Sequence, residues 1–226
     1  MRRTSVSPSI TPARLTKWVF LAFVAWIGWH ILAPYPQYLP PNFDVGFLRG
    51  KGEFFYRNGY SIGFFAHILA APLALLPGAM QASRTLRVRR PYFHRVLGRL
   101  YCVLVLLLVT PGGLLMAMKA YGGWSGVCCF SLIAIFTWFS TFMGWRTARS
   151  SQYASHARWM LRSYTLMLSA IFLRLTNISL TELEFGHEFT YQFSAWISWL
   201  VPLAIVESVL ALQKTTKPKK GLVVEG

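Results

Sequence analysis

Charge is scarce in this 226-residue chain. Only 13% of its residues are charged and seven are acidic, against roughly 25% charged in a typical soluble domain. Cysteine is scarcer still, at three residues. Cys102, Cys128 and Cys129 form neither a CxxC pair nor a Cys/His cluster with zinc spacing, which excludes a disulfide-stapled scaffold and a zinc module. They read as small apolar packing residues. No Walker loop, GxGxxG, GxSxG or HExxH occurs, so the common nucleotide-binding and hydrolase signatures are missing and no residue is assigned as catalytic.

Apolar residues are abundant instead: 54% of the chain is hydrophobic and 16% aromatic. Such a composition excludes disorder and points to lipid. A bilayer core of ~30 Å requires ~17–25 mainly apolar residues per helix, because every backbone polar group must be satisfied internally. Six segments meet or approach that length: 18–33, 60–79, 97–118, 124–144, 159–178 and 191–212. The expected fold is therefore an all-α, integral-membrane six-helix bundle. The first segment is the shortest, but Trp26, Trp29 and His30 within it, Pro34 and Pro36 after it, and no small-residue cleavage site make it an uncleaved signal anchor. Trp18, Tyr60, Trp124 and Tyr191 stand at segment ends, as an interfacial aromatic belt requires.

The net charge of +16 would fit a nucleic-acid binder until the charges are located. Of 23 Lys and Arg, 18 lie before segment one, around the junctions of segments two–three and four–five, or after segment six. Five of the seven acids (Asp44, Glu53, Glu182, Glu184 and Glu188) fall in the alternate loops. The positive-inside rule then puts both termini in the cytoplasm. The layout is a basic N-terminus at 1–17, a six-span domain at 18–212 and a basic tail at 213–226, expected in a bacterial-type inner membrane. The partners implied are the bilayer and anionic lipid headgroups at the cytoplasmic face, not nucleic acid. The sequence does not identify a protein partner.

The loop 34–59, with Pro34, Pro36, Pro40 and Pro41 followed by Gly46, Gly50 and Gly52, is longer than a simple connector and reads as a lid, a docking surface or a structured cap. Pro72 is expected to interrupt segment two and Pro111-Gly112-Gly113 segment three, by ordinary packing or by a kink that opens a pocket.

Ionisable residues inside a membrane are costly and are functional candidates by default. His67, His94, Arg99, His156, Arg162, Arg174 and Glu207 are of this kind. At 1.5 Å per helical residue, Arg99 and Arg162 lie ~8–9 Å beyond His94 and His156, with Glu207 ~10 Å from its own end of segment six. Five groups on three helices thus share one membrane level, and Glu207 should pair with Arg99 or Arg162, unless the arginines snorkel to the interface. His67 lies ~18 Å up and reads as a hydrogen-bonded structural histidine, and Arg174 lies ~27 Å up, towards the outer face. Segments three and five also start alike: His94, Arg99 and Tyr101 can be set beside His156, Arg162 and Tyr164 with a one-residue slip. An internal two-helix repeat would make these faces converge where membrane proteins often place binding sites. Three chemistries fit: haem b with His94 and His156 as axial ligands and Arg99 and Arg162 on its propionates; a quinone head hydrogen-bonded by His and by Tyr101 and Tyr164; or an anion or lipid phosphate on the arginines, as in a transporter, lipid-binding protein or assembly factor. A purely structural polar cluster is the remaining reading.

The run Ala66-His67-Ile68, the Pro77-Gly78 turn leading to Gln81, His94 to Tyr101, His156 to Tyr164 and Leu173-Arg174-Leu175 resembles a family of predicted membrane proteins, domain of unknown function 2306. The resemblance covers about residues 60–178 and implies a multi-pass membrane fold, but no reaction. A looser similarity is to cytochrome b561-like six-helix proteins, whose haem ligands come from four consecutive helices. Segment four contains no histidine, so a two-haem relay is not expected and one haem between His94 and His156 is left.

Overall fold

The structure is a computed structural model that describes residues 12–215; the cations at Arg2, Arg3, Lys217, Lys219 and Lys220 lie outside the described residues. It is all-α, with no β-strand among those residues. The chain divides into two compact units, Met1–Gly52 and Glu53–Gly226.

The first unit holds α1 (Pro12–Leu32) and two short turns of 3₁₀-helix at Tyr35–Gln37 and Gly46–Leu48. In α1, His30 donates from Nδ1 to the Trp26 carbonyl at 2.9 Å. Beyond it, Lys51 donates to the Phe47 carbonyl at 2.7 Å and sits 3.3 Å over the Phe47 ring.

The second unit is a bundle of α2 (Tyr60–Gln81), α3 (Pro91–Ala117), α4 (Gly123–Arg149), α5 (Tyr153–Met167), α6 (Ser169–Glu182) and α7 (His187–Thr215). Among the described residues, α2, α3, α4 and the His187–Gln213 stretch of α7 are long and apolar enough to cross a membrane. The expected fifth segment is split at Leu168 into helices of 15 and 14 residues, although no proline or glycine stands near the break. The expected interruption at Pro72 is absent, because α2 runs unbroken through both Pro72 and Pro77. For the same reason Pro77-Gly78 is helix rather than turn. In α3, by contrast, Pro111 is preceded by a widened π-turn at Val105–Val109. Proline supplies no N–H, and here the helix shifts to longer-range bonds. The Thr110 amide and hydroxyl both donate to the Val105 carbonyl.

Helices in lipid gain nothing from excluding apolar side chains from one another, so close packing depends on small residues and hydrogen bonds. Ala70, Ala74 and Gly78 recur every fourth residue on α2 and are buried. A Cβ at Gly63 would lie 2.7 Å from Leu115 Cβ, and one at Gly78 would lie 2.5 Å from Tyr164 Cε2 and 2.9 Å from Tyr101 Cε2. The core beside them is Tyr101, Cys102, Val105, Val109 and Met167. A second cluster joins Cys129, Leu166, Ala195 and Trp199, with the Trp199 indole donating to Cys129 Sγ at 3.3 Å. Cys102 and Cys129 are buried packing residues and all three cysteines are free thiols.

Burial holds the Lys51 pKa down at about 8, whereas an unfolded lysine titrates near ~10.4. Between these values the unfolded chain binds the extra proton, so stability rises with pH across that window, and the destabilisation is full below it. An NMR titration of isotopically dimethylated lysines should show one resonance with a midpoint near 8, missing in Lys51→Met. A set of midpoints all above 10 would contradict the burial of this amine.

Candidate functional site

A chain of buried hydroxyls ties three helices together. Thr141 donates its proton to the Thr137 carbonyl at 2.7 Å. A hydroxyl has one proton to give, so Thr141 accepts from Ser163 at 2.7 Å. Ser163 in turn accepts from the Tyr101 hydroxyl, also at 2.7 Å. The direction Tyr101 to Ser163 to Thr141 to the backbone is thus fixed. Tyr164 donates to the Leu75 carbonyl of α2 at 3.2 Å, and the Tyr101 and Tyr164 rings meet with centroids 6.4 Å apart. The two tyrosines of the expected repeat therefore converge, on Gly78, but the direct partner of Tyr101 is Ser163.

This pairing sets the register of α3 against α5. His94 precedes Tyr101 by seven residues and His156 precedes Ser163 by seven, two helical turns or ~10 Å in each case. Each histidine thus lies two turns from this bond, and His156 is within electrostatic range of His94. His156 donates from Nδ1 to the Gly144 carbonyl at 2.8 Å, which leaves Nε2 as its open nitrogen. Gly144 permits this approach: a Cβ there would press on the Met160 side chain, 3.1 Å from Cγ. His94 has a buried Nδ1 with no hydrogen-bond partner, and so does Nε2 of Gln81. The Gln81 amide packs over Gly98 of α3, one turn from His94 and on the same face. Arg87 and Arg95 lie within electrostatic range of His94.

The other candidates have different partners. Arg162 forms a bidentate ion pair with Glu207 of α7, with Nη2 to Oε2 at 2.7 Å, and its guanidinium lies 4.7 Å from the Trp159 ring centre. Of the two pairings open to Glu207, the structure has Arg162. Arg99 is exposed on α3. His67 donates from Nδ1 to the Val109 carbonyl at 2.7 Å. It packs against Gly112 and Gly113, so it fills the side of the widened π-turn. Arg174 lies within electrostatic range of His67 and donates to the Ala170 carbonyl at 2.9 Å.

The sequence reading missed Gln81, Ser163, Thr141 and Gly144 as site residues. An alignment of 94 with 156 that is carried on without a slip reaches 101 and 163, and would have named Ser163. The other three give no periodic signal. Among the described residues no group of three His, Cys, Asp or Glu side chains forms a metal site.

Removing one member of the hydroxyl chain should lower stability by about 0.5–2 kcal/mol. Tyr101→Phe and Ser163→Ala should together cost less than the sum of the two, as measured by unfolding in detergent, because they break the same bond. Gly78→Val should cost more than either, since it displaces both tyrosine rings.

Neither a curated protein nor a solved structure matches the chain. The sequence profile of one family does match, over residues 64–210, which include α3, α4, α5, α6 and every candidate residue above: the chain belongs to the predicted membrane protein family DUF2306.

Proposed function

We propose that this chain is a six-span protein of a bacterial-type inner membrane, with both termini cytoplasmic, that binds the oxygen-bearing head of a lipophilic molecule, a quinone, between Gln81, His94 and His156. The observation that carries the reading is the pair of buried nitrogens without partners, His94 Nδ1 and Gln81 Nε2. A buried donor without a partner costs roughly 1–3 kcal/mol, and native proteins seldom leave one. Both nitrogens can donate, so the complementary ligand offers acceptor oxygens. The open Nε2 of His156 adds a group that can accept a proton, as a quinol oxygen would require. Arg87 and Arg95 contribute a positive field that favours the same oxygens. Cytoplasmic placement of this end is supported by its arginines, at 84, 87, 89, 90, 95, 146, 149 and 158.

Haem fits these residues less well. Two imidazoles are present, but Arg162 is committed to Glu207, Arg99 is exposed, and Tyr101 and Tyr164 are used in helix contacts. The propionates would lack the partners that the sequence pattern offered them. A non-enzymatic anion site on the same nitrogens is the second reading, and the field of Arg87 and Arg95 is what favours it.

Titration of the detergent-purified full chain with a short-chain quinone, followed by tryptophan fluorescence, should show saturable quenching. His94→Phe and Gln81→Leu should each weaken it about tenfold, the value of one hydrogen bond in a buried site, while Arg99→Ala should not change it. Saturation by inorganic phosphate but not by quinone would make this an anion site. A Soret band after expression with haem available would replace the quinone by haem.

A further inference from the structure

A groove separate from the histidine site runs along the outside of the bundle between α5, α6 and α7. Leu168, Phe172, Ile197, Val201, Pro202 and Ile205 give it an apolar lining, and a threonine closes each end, Thr165 and Thr176. Its volume is about 350 Å³, within the ~300–1,000 Å³ typical of small-molecule sites. It lies where α5 gives way to α6 at Leu168, opposite Pro202 inside α7. Thr165, Leu168, Phe172 and Thr176 recur at helical spacing, so the groove follows the helices for about 16 Å.

The same stripe continues toward the arginine-rich end as Arg162 and Arg158, three and seven residues before Thr165. Arg162 is neutralised by Glu207. Arg158, only part-buried and held through a 3.4 Å contact with Ser155 Oγ, adds a cation one turn nearer the end with no ion-pair partner among the described residues. The three side chains sum to one positive charge beside the mouth of an apolar groove. That arrangement complements a molecule with one negative phosphodiester and a hydrocarbon chain.

We infer that the groove is a specific site for an anionic glycerophospholipid, with one acyl chain along Leu168, Phe172, Val201 and Ile205 and its phosphate on Arg158. The Arg162–Glu207 pair forms the polar step between chain and head. The guanidinium of Arg162 is turned to its carboxylate partner, so charge selectivity falls to Arg158. This site does not depend on the quinone reading, because it uses none of Gln81, His94 and His156.

The test is native mass spectrometry of the delipidated full chain in detergent, offered phosphatidylglycerol or phosphatidylcholine with identical acyl chains. The native chain should retain phosphatidylglycerol about tenfold better, the worth of one charge-assisted contact. Arg158→Gln should reduce that preference to parity. Val201→Trp, which fills the groove, should abolish retention of both lipids, and Leu168→Trp serves the same purpose should Val201→Trp not fold. Equal retention of the two lipids by the native chain would overturn the inference. So would undiminished phosphatidylglycerol retention in the groove-filled variant.

Discussion

The hydrogen bond from Tyr101 to Ser163, carried on to Thr141, decides how the rest of the bundle is arranged. In a bilayer the apolar surfaces of helices are as content against lipid as against each other, so few forces select one helix register over another. A buried hydroxyl does select, because a shift of one residue would strand it without a partner in a low-dielectric interior. The bond fixes the offset of α3 against α5 and puts His94 and His156 each two turns away from it. Gly78 and Gly144 serve the same end by sterics: one lets α2 lie against both tyrosines, and the other lets α5 come close enough for His156 to reach a backbone carbonyl.

Positions of helices were legible in the sequence, because the length a membrane imposes is coarse and survives local irregularity. Breaks within them were not. Pro72 and Pro77 sit inside a continuous helix, while the discontinuity at Leu168 has no local breaker. Proline in a membrane helix is tolerated where neighbours re-satisfy the backbone, and a break facing a groove is a matter of packing rather than of propensity. The site was legible to the same depth. Counting residues offered Glu207 an arginine, and the structure pairs it with Arg162; counting also set His94 and His156 at one level, and the structure has them within electrostatic range of each other. Counting could not distinguish Ser163 from Tyr164 as the partner of Tyr101, since adjacent residues on a helix are ~100° apart and only the packed structure says which one faces inward. Gln81, Thr141 and Gly144 were invisible for a related reason: a lone amide, hydroxyl or glycine has meaning only beside its neighbour.

His67 shows how an irregular backbone is stabilised without a ligand. The Val109 carbonyl closes the widened turn at Val105–Val109, and His67 donates to it from α2. Gly112 and Gly113 keep the space for the imidazole ring. The expected kink at Pro111 thus exists in a modified form, and a side chain from the adjacent helix fills it.

One helix, α5, therefore presents two unrelated surfaces through residues that are neighbours in sequence. Ser163 and His156 share the face toward α3 and α4, where polar groups are buried and two donors lack acceptors. Arg162 and Arg158 share the face toward α7, where a charge pair borders an apolar groove. The ion pair is what keeps the faces separate. With Glu207 bound to it, Arg162 is turned toward α7 rather than toward the histidines, so the cations in range of the inner face are Arg87 and Arg95. On the two proposals above, the buried donors of the inner face take an acceptor oxygen, whereas the arginine of the outer face takes a phosphate. The division of labour follows from a single carboxylate on the last helix.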